Sequence, residues 1–145
     1  MTEKNDYQMQ VTKEKEEANG TLEAQQTRER EVKKLIAMYL RELGMPTHLS
    51  GYRYVSYAIA VCIDSPEKIH AMTKELYPET GKKFRTTGSR VERAIRSAVD
   101  VAWERGDLDA ISKIFGNTVS SRRGRPTNSE FIAMIAEQIC INYQI

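Results

Sequence analysis

Arg90, Glu92, Arg93 and Arg96 have the types and spacing needed to read a DNA duplex, and they follow a turn of hydroxyls and positive charge, Lys82-Lys83-Phe84-Arg85-Thr86-Thr87-Gly88-Ser89. An arginine can chelate O6 and N7 of guanine, and a glutamate can accept from the N4 amino group of cytosine. One good bidentate contact gives about 1–3 kcal/mol of base discrimination. Thr86, Thr87 and Ser89 stand at a helix start, where hydroxyls and unpaired backbone N–H groups suit phosphate oxygens. Lys82, Lys83 and Arg85 add charge for the phosphodiester backbone. The layout is that of a helix-turn-helix whose second helix enters the major groove of double-stranded DNA. A plainer reading competes with it. Glu92 and Arg96 are spaced i, i+4 with the acid first, so they can pair on a solvated face for roughly 0.3–0.5 kcal/mol.

A reading helix needs an apolar back. At 100° per residue, Val91, Ala94, Ile95, Ala98, Val101 and Ala102 fall on one side of a helix running from about Gly88 to Arg105, and the charged set falls on the other. Gly106 ends that helix, and Trp103 anchors its far end in the core. Upstream, Val32, Leu35, Ile36, Tyr39, Leu40 and Leu43 recur at helical spacing, closed by Gly44 and Pro46. A second helix follows Ser50, with Tyr54, Ala58, Val61 and Cys62 inward. Ser65-Pro66 opens a third that carries Ile69, Met72, Thr73 and Leu76. Pro78 bends it or starts another through Phe84. A short helix from Leu108 stops at Gly116. Thr127-Asn128-Ser129-Glu130 is a capping box for the last, which packs Phe131, Ile135, Ile139 and Cys140. The expected fold is all-α, about six helices with a helix-turn-helix and no strand.

The chain carries 22 Lys/Arg and 20 Asp/Glu, a net charge of +2. The distribution says more than the total. From Lys82 to Arg125 there are eleven basic and five acidic residues, whereas residues 1–34 hold seven basic and eight acidic. Positive charge is concentrated as a phosphate-facing surface requires. Residues 1–26 are rich in Glu, Lys, Gln, Thr and Asn and poor in large apolar side chains, so a mobile polar tail is expected there, with the folded domain over 27–145. A short coiled coil is the competing reading, but no apolar heptad is sustained. Cys62 and Cys140 lie in apolar helical patterns and read as buried free thiols. No apolar run spans a bilayer, which predicts a cytoplasmic protein with no membrane partner. His48 and His70 lack companions at ligand spacing, so no metal is expected. No phosphate loop and no nucleophile–base pair points to an enzyme or a cofactor.

The strings SRVERAIR and PTNSEFIAM, within LYPETGKKFRTTGSRVERAIRSAVDVAWERGDLDAISKIFG and RPTNSEFIAMIA, with HLSGYRYVSYAIAV upstream, resemble the C-terminal effector domains of stage zero sporulation protein A, a sporulation response-regulator family. The likeness covers residues 30 to 145. It implies a six-helix domain that reads a TGTCGAA-like box with the helix beginning at Gly88. By position it implies base contacts from Arg90, Glu92 and Arg96 and phosphate contacts mainly from Ser89 and Arg93. Gly106 to Val119 corresponds to a surface for the sigma subunit of RNA polymerase, here carrying Asp107, Asp109 and Lys113. Family members pair head-to-tail on tandem boxes, so a DNA-induced dimer is an expected state.

Some features depart from the family. Nothing here corresponds to its phosphorylated receiver domain, so no switching by phosphorylation in cis is expected. Gly88 stands where the family usually has alanine. The loop with Arg122, Arg123 and Arg125 is more basic than expected, which adds phosphate contacts or is simply solvated. A protein-interaction module that kept the fold, acting on sigma factor or a partner regulator, is the alternative to a DNA reader.

Overall fold

The structure is a computed structural model that describes residues 2–116 and 124–145. The chain divides into two compact units, residues 1–32 and 33–145. Six α-helices are present among the described residues, with no strand: α1 (Thr2–Glu42), α2 (Ser50–Asp64), α3 (Tyr77–Lys83), α4 (Gly88–Arg105), α5 (Leu108–Phe115) and α6 (Asn128–Tyr143).

Residues 2–26, where a mobile polar tail is expected, are helical within α1. Glu, Lys, Gln, Ala and Arg dominate this stretch and are good helix formers. Thr12 and Thr21 each donate a hydroxyl to the carbonyl four residues back, both at 2.9 Å. Side chains from residue 5 to residue 31 are exposed apart from a half-buried Val11. Local propensity alone therefore supports this part of the helix, which is the weak source of helical stability.

In the second unit the apolar spacing becomes a core. Leu35, Ile36, Leu40 and Leu43 of α1 are buried, and Met45 follows them inward. The Gly44 N–H donates to the Arg41 carbonyl and the Met45 N–H to the Leu40 carbonyl, the paired bonds that close a helix end. α2 packs against both α4 and α6, with Tyr54, Val55, Ala58, Ile59, Cys62 and Ile63 inward. Val61, expected inward, is only half-buried. On α6, Phe131, Ile132, Ile135, Ala136 and Ile139 are buried, while Cys140 is half-buried. Phe115 of α5 stacks on Phe131 at 5.7 Å and meets Trp103 edge-on at 5.0 Å, which ties the far end of α4 to α5 and α6.

The expected third helix takes another form. A 3₁₀ turn, Pro66–Ala71, runs into a wide π turn, Met72–Leu76, before α3 begins. The Tyr77 N–H reaches back five residues to the Met72 carbonyl. Pro78 has no N–H with which to continue an ordinary ladder, and a wide turn absorbs that break. The extra residue shifts the phase, so Thr73 points to solvent while Leu76 stays fully buried.

Two consequences are measurable. A Cβ on Gly51 would stand 2.1 Å from the Ala94 carbonyl oxygen and 2.8 Å from the Ala98 Cβ. Gly51→Ala therefore forces α2 off α4, and urea unfolding should show a loss of about 1–3 kcal/mol or more. Burial also pushes the Cys62 thiol up to about 11. Little thiolate exists at pH 8, so native-state alkylation should modify Cys140 well before Cys62, read by mass spectrometry of the intact and digested protein.

Candidate nucleic-acid interface

α3, the turn 84–87 and α4 form a corner held by backbone and capping bonds. The Phe84 N–H donates to the Thr80 carbonyl at 3.1 Å, and the Thr86 N–H donates to the Gly81 carbonyl at 2.8 Å. A Cβ at position 81 would sit 2.7 Å from the Thr86 carbonyl oxygen, so the turn folds back onto α3 only because residue 81 is glycine. Thr80 is fully buried, its hydroxyl donating to the Leu76 carbonyl at 2.7 Å. Arg85 adopts φ +57°, the left-handed region that costs a non-glycine residue roughly 1–2 kcal/mol. Thr87 caps α4 by accepting from the Arg90 N–H at 3.2 Å. Its own hydroxyl proton is left to donate outward. At position 88 a Cβ would come within 3.3 Å of the Tyr77 carbonyl carbon and the Pro78 nitrogen, so alanine fits there only with a small adjustment.

α4 presents two chemically opposite faces. Val91, Ile95, Ala98, Val99 and Ala102 are buried. Ala94 and Val101, expected inward, are half-buried, and Val99 takes the place expected of them. The buried face is centred nearer Ala102 than Ala94, which brings Val99 in and turns the other two to the flanks. Arg90, Arg93 and Arg96 are exposed on the far side, with Glu92 half-buried beside them. Arg96 pairs with Glu92 at 3.3 Å, as the plainer reading anticipates. That pair is more than a third exposed, with relative side-chain exposures of 52% and 35%, and is worth only a few tenths of a kcal/mol. It is weak enough for a guanine edge or a phosphate to displace. Lys82, Lys83, Thr87 and Ser89 are exposed around the start of α4, and Thr86 is half-buried.

One further cation stands at the corner. The Arg53 guanidinium of α2 lies over the Phe84 ring, 5.6 Å from its centroid, beside Tyr54 and Tyr57, which pack on the same ring. Nothing in the local pattern of α2 connects Arg53 to a ring at the end of α3, so sequence reading passes it over. Behind it, Lys68 and Glu79 pair at 2.8 Å, and burial, together with the Glu79 carboxylate, raises the Tyr57 phenol above its ordinary range.

The last helix also reaches the corner. The Asn128 side-chain amide donates to the Tyr77 hydroxyl and to the Glu92 carbonyl, each at 3.1 Å. Burial raises the Tyr77 phenol, so this hydroxyl keeps its proton. The capping box expected at Thr127 and Glu130 is formed, but sequence reading assigns Asn128 no part beyond that box. Arg125, expected at phosphate, is ion-paired with Asp100 of α4, and a phosphate would compete with that carboxylate. Arg122 and Arg123 lie outside the described residues. Asp107 caps α5 by accepting from the Asp109 N–H at 2.9 Å, and Asp109 and Lys113 are exposed on the same short helix. No helix among the described residues is long and apolar enough to cross a membrane.

The family model described as sporulation initiation factor Spo0A C terminal matches residues 36–139 of this chain. The match takes in all of α2 to α5 and most of α6.

The strained turn residue is open to a direct test. Arg85→Gly relieves the left-handed backbone and should stabilise the fold by about 1 kcal/mol in urea titration. It should also weaken binding to any polyanion through the lost charge.

Proposed function

Because the chain belongs to the Spo0A C-terminal family of sporulation-type DNA-binding effector domains, we propose that α4 is its recognition helix and reads a TGTCGAA-like box in the major groove. The observation that carries this reading is the segregation of α4 into a fully buried apolar stripe and an exposed face bearing Arg90, Arg93 and Arg96. In this reading Arg90, Glu92 and Arg96 contact bases, while Ser89 and Arg93 contact phosphates with Lys82, Lys83, Thr86 and Thr87. Freeing Arg96 from Glu92 costs roughly 0.3–0.5 kcal/mol, and a bidentate guanine contact returns about 1–3 kcal/mol. The pair therefore favours the free protein only until a cognate edge arrives, and Glu92 is released for a cytosine amino group by the same exchange. Arg122, Arg123 and Arg125 add phosphate contacts at the margin, with Arg125 exchanging Asp100 for the backbone.

A second surface is proposed for the sigma subunit of RNA polymerase. Leu108 is 78% exposed between Asp107 and Asp109 at the start of α5, an apolar side chain flanked by carboxylates, with Lys113 further along the helix. Two copies pair head-to-tail on tandem boxes, with the DNA supplying the pairing. A protein-interaction module without DNA reading is the alternative, and the arginine face separates the two.

A gel-shift titration compares a TGTCGAA duplex with a scrambled one in the same salt. Arg90→Ala and Arg96→Ala should each abolish the preference for the box. Lys83→Ala should weaken both duplexes evenly and lower the salt slope by about 1. Unchanged DNA affinity in all three variants would transfer the function to the protein-interaction reading.

A further inference from the structure

We infer that Asn128 is a positioning residue for the recognition helix. The inference rests on α4 being the reading helix, but it concerns how that helix is aimed. The segment Arg125-Pro126-Thr127-Asn128 forms a strap that holds α4 at two points. At one end Arg125 pairs with Asp100. At the other, Asn128 donates to the backbone carbonyl of Glu92. The two anchor residues on α4 are two turns apart, about 12 Å along the axis at 1.5 Å per residue. A nearly extended strap of this length spans about 10 Å, so the strap and the two turns are matched in reach. Pro126, between the anchors, is buried.

Asn128 is the more exacting anchor. A carbonyl oxygen can only accept, so the amide nitrogen must face Glu92, and this orientation leaves its second N–H for the Tyr77 hydroxyl. One amide group thereby bonds to α3 through Tyr77, to α4 through Glu92, and belongs to the first turn of α6. It sits on the backbone of a proposed base-contacting residue, between Arg90 and Arg96. It sets the height and rotation of that part of α4 relative to α3, and so the angle at which the arginines leave the domain. Arg125–Asp100 is a partly exposed ion pair without such directional demands and is the less exacting anchor.

A positioning role has a signature that bulk destabilisation lacks. Asn128→Ala and Tyr77→Phe are compared with the parent by operator and scrambled-duplex titrations at several salt concentrations, and by thermal melts. Asn128→Ala should lower the operator-to-scrambled affinity ratio about tenfold, the loss of roughly one base contact. The salt slope on the scrambled duplex should not change, because no phosphate contact is removed. Tyr77→Phe removes only the hydroxyl and should lower the ratio less. The double variant should match Asn128→Ala alone, since the hydroxyl acts through the amide. A lower melting temperature with an unchanged ratio in both single variants overturns the inference. Arg96→Ala and Arg90→Ala run alongside. If those also leave the ratio unchanged, it is the reading of α4 that fails and the inference falls with it. If they abolish the preference while Asn128→Ala does not, positioning alone is refuted.

Discussion

The burial of one side of α4 is the constraint on which the other features turn. Val91, Ile95, Ala98, Val99 and Ala102 are removed from water almost completely. Each fully buried Val or Ile contributes roughly 1.5–3 kcal/mol relative to exposure. That burial decides the rotation of α4 about its axis, and the rotation decides which side chains remain outside. The close approach at Gly51, where only hydrogen fits against the Ala94 carbonyl, makes the setting specific. A larger residue there would separate α2 from α4 and loosen the angle at which the charged face leaves the domain.

Only part of the charge on that face is paired. Arg96 rests on Glu92 and Arg125 on Asp100. Exposed pairs of this kind are worth less than the contacts a duplex can offer in exchange. Arg90 and Arg93 pair with no acidic side chain among the described residues, so most of the positive potential at the start of α4 is uncompensated. The corner beneath is shaped by local backbone geometry. It has a glycine where the turn folds back, a threonine cap, and an arginine accepting left-handed backbone geometry.

Much of this was legible in the chain, and the gaps have physical causes. The limits of α2, α4, α5 and α6 follow from glycine, serine and proline punctuation and from helical spacing. The region between Pro66 and Leu76 was less legible, because apolar spacing reports which faces are buried and not whether a ladder closes at three, four or five residues. Residues 2–26 show the reverse. Their composition lacks material for a core, in keeping with the exposure seen from residue 5 to residue 26 apart from Val11, yet the same residue types favour local helix. The pattern alone places Cys62 and Phe131 inward, whereas a stripe drawn from Ala94 is centred too far to one side and leaves Val99 out of the inward set.

The sequence by itself determined that this is an all-α domain with an arginine-bearing helix after a basic turn, since composition and periodicity are properties of neighbouring residues. Tertiary structure alone decided the partners. That Arg53 covers Phe84, that Asp100 meets Arg125, and that the Asn128 amide joins Tyr77 to the Glu92 carbonyl depend on how separate helices cross. Hydrogen bonds and ion pairs act over a few ångströms in space, and chain spacing carries no record of which distant residues will come within that range.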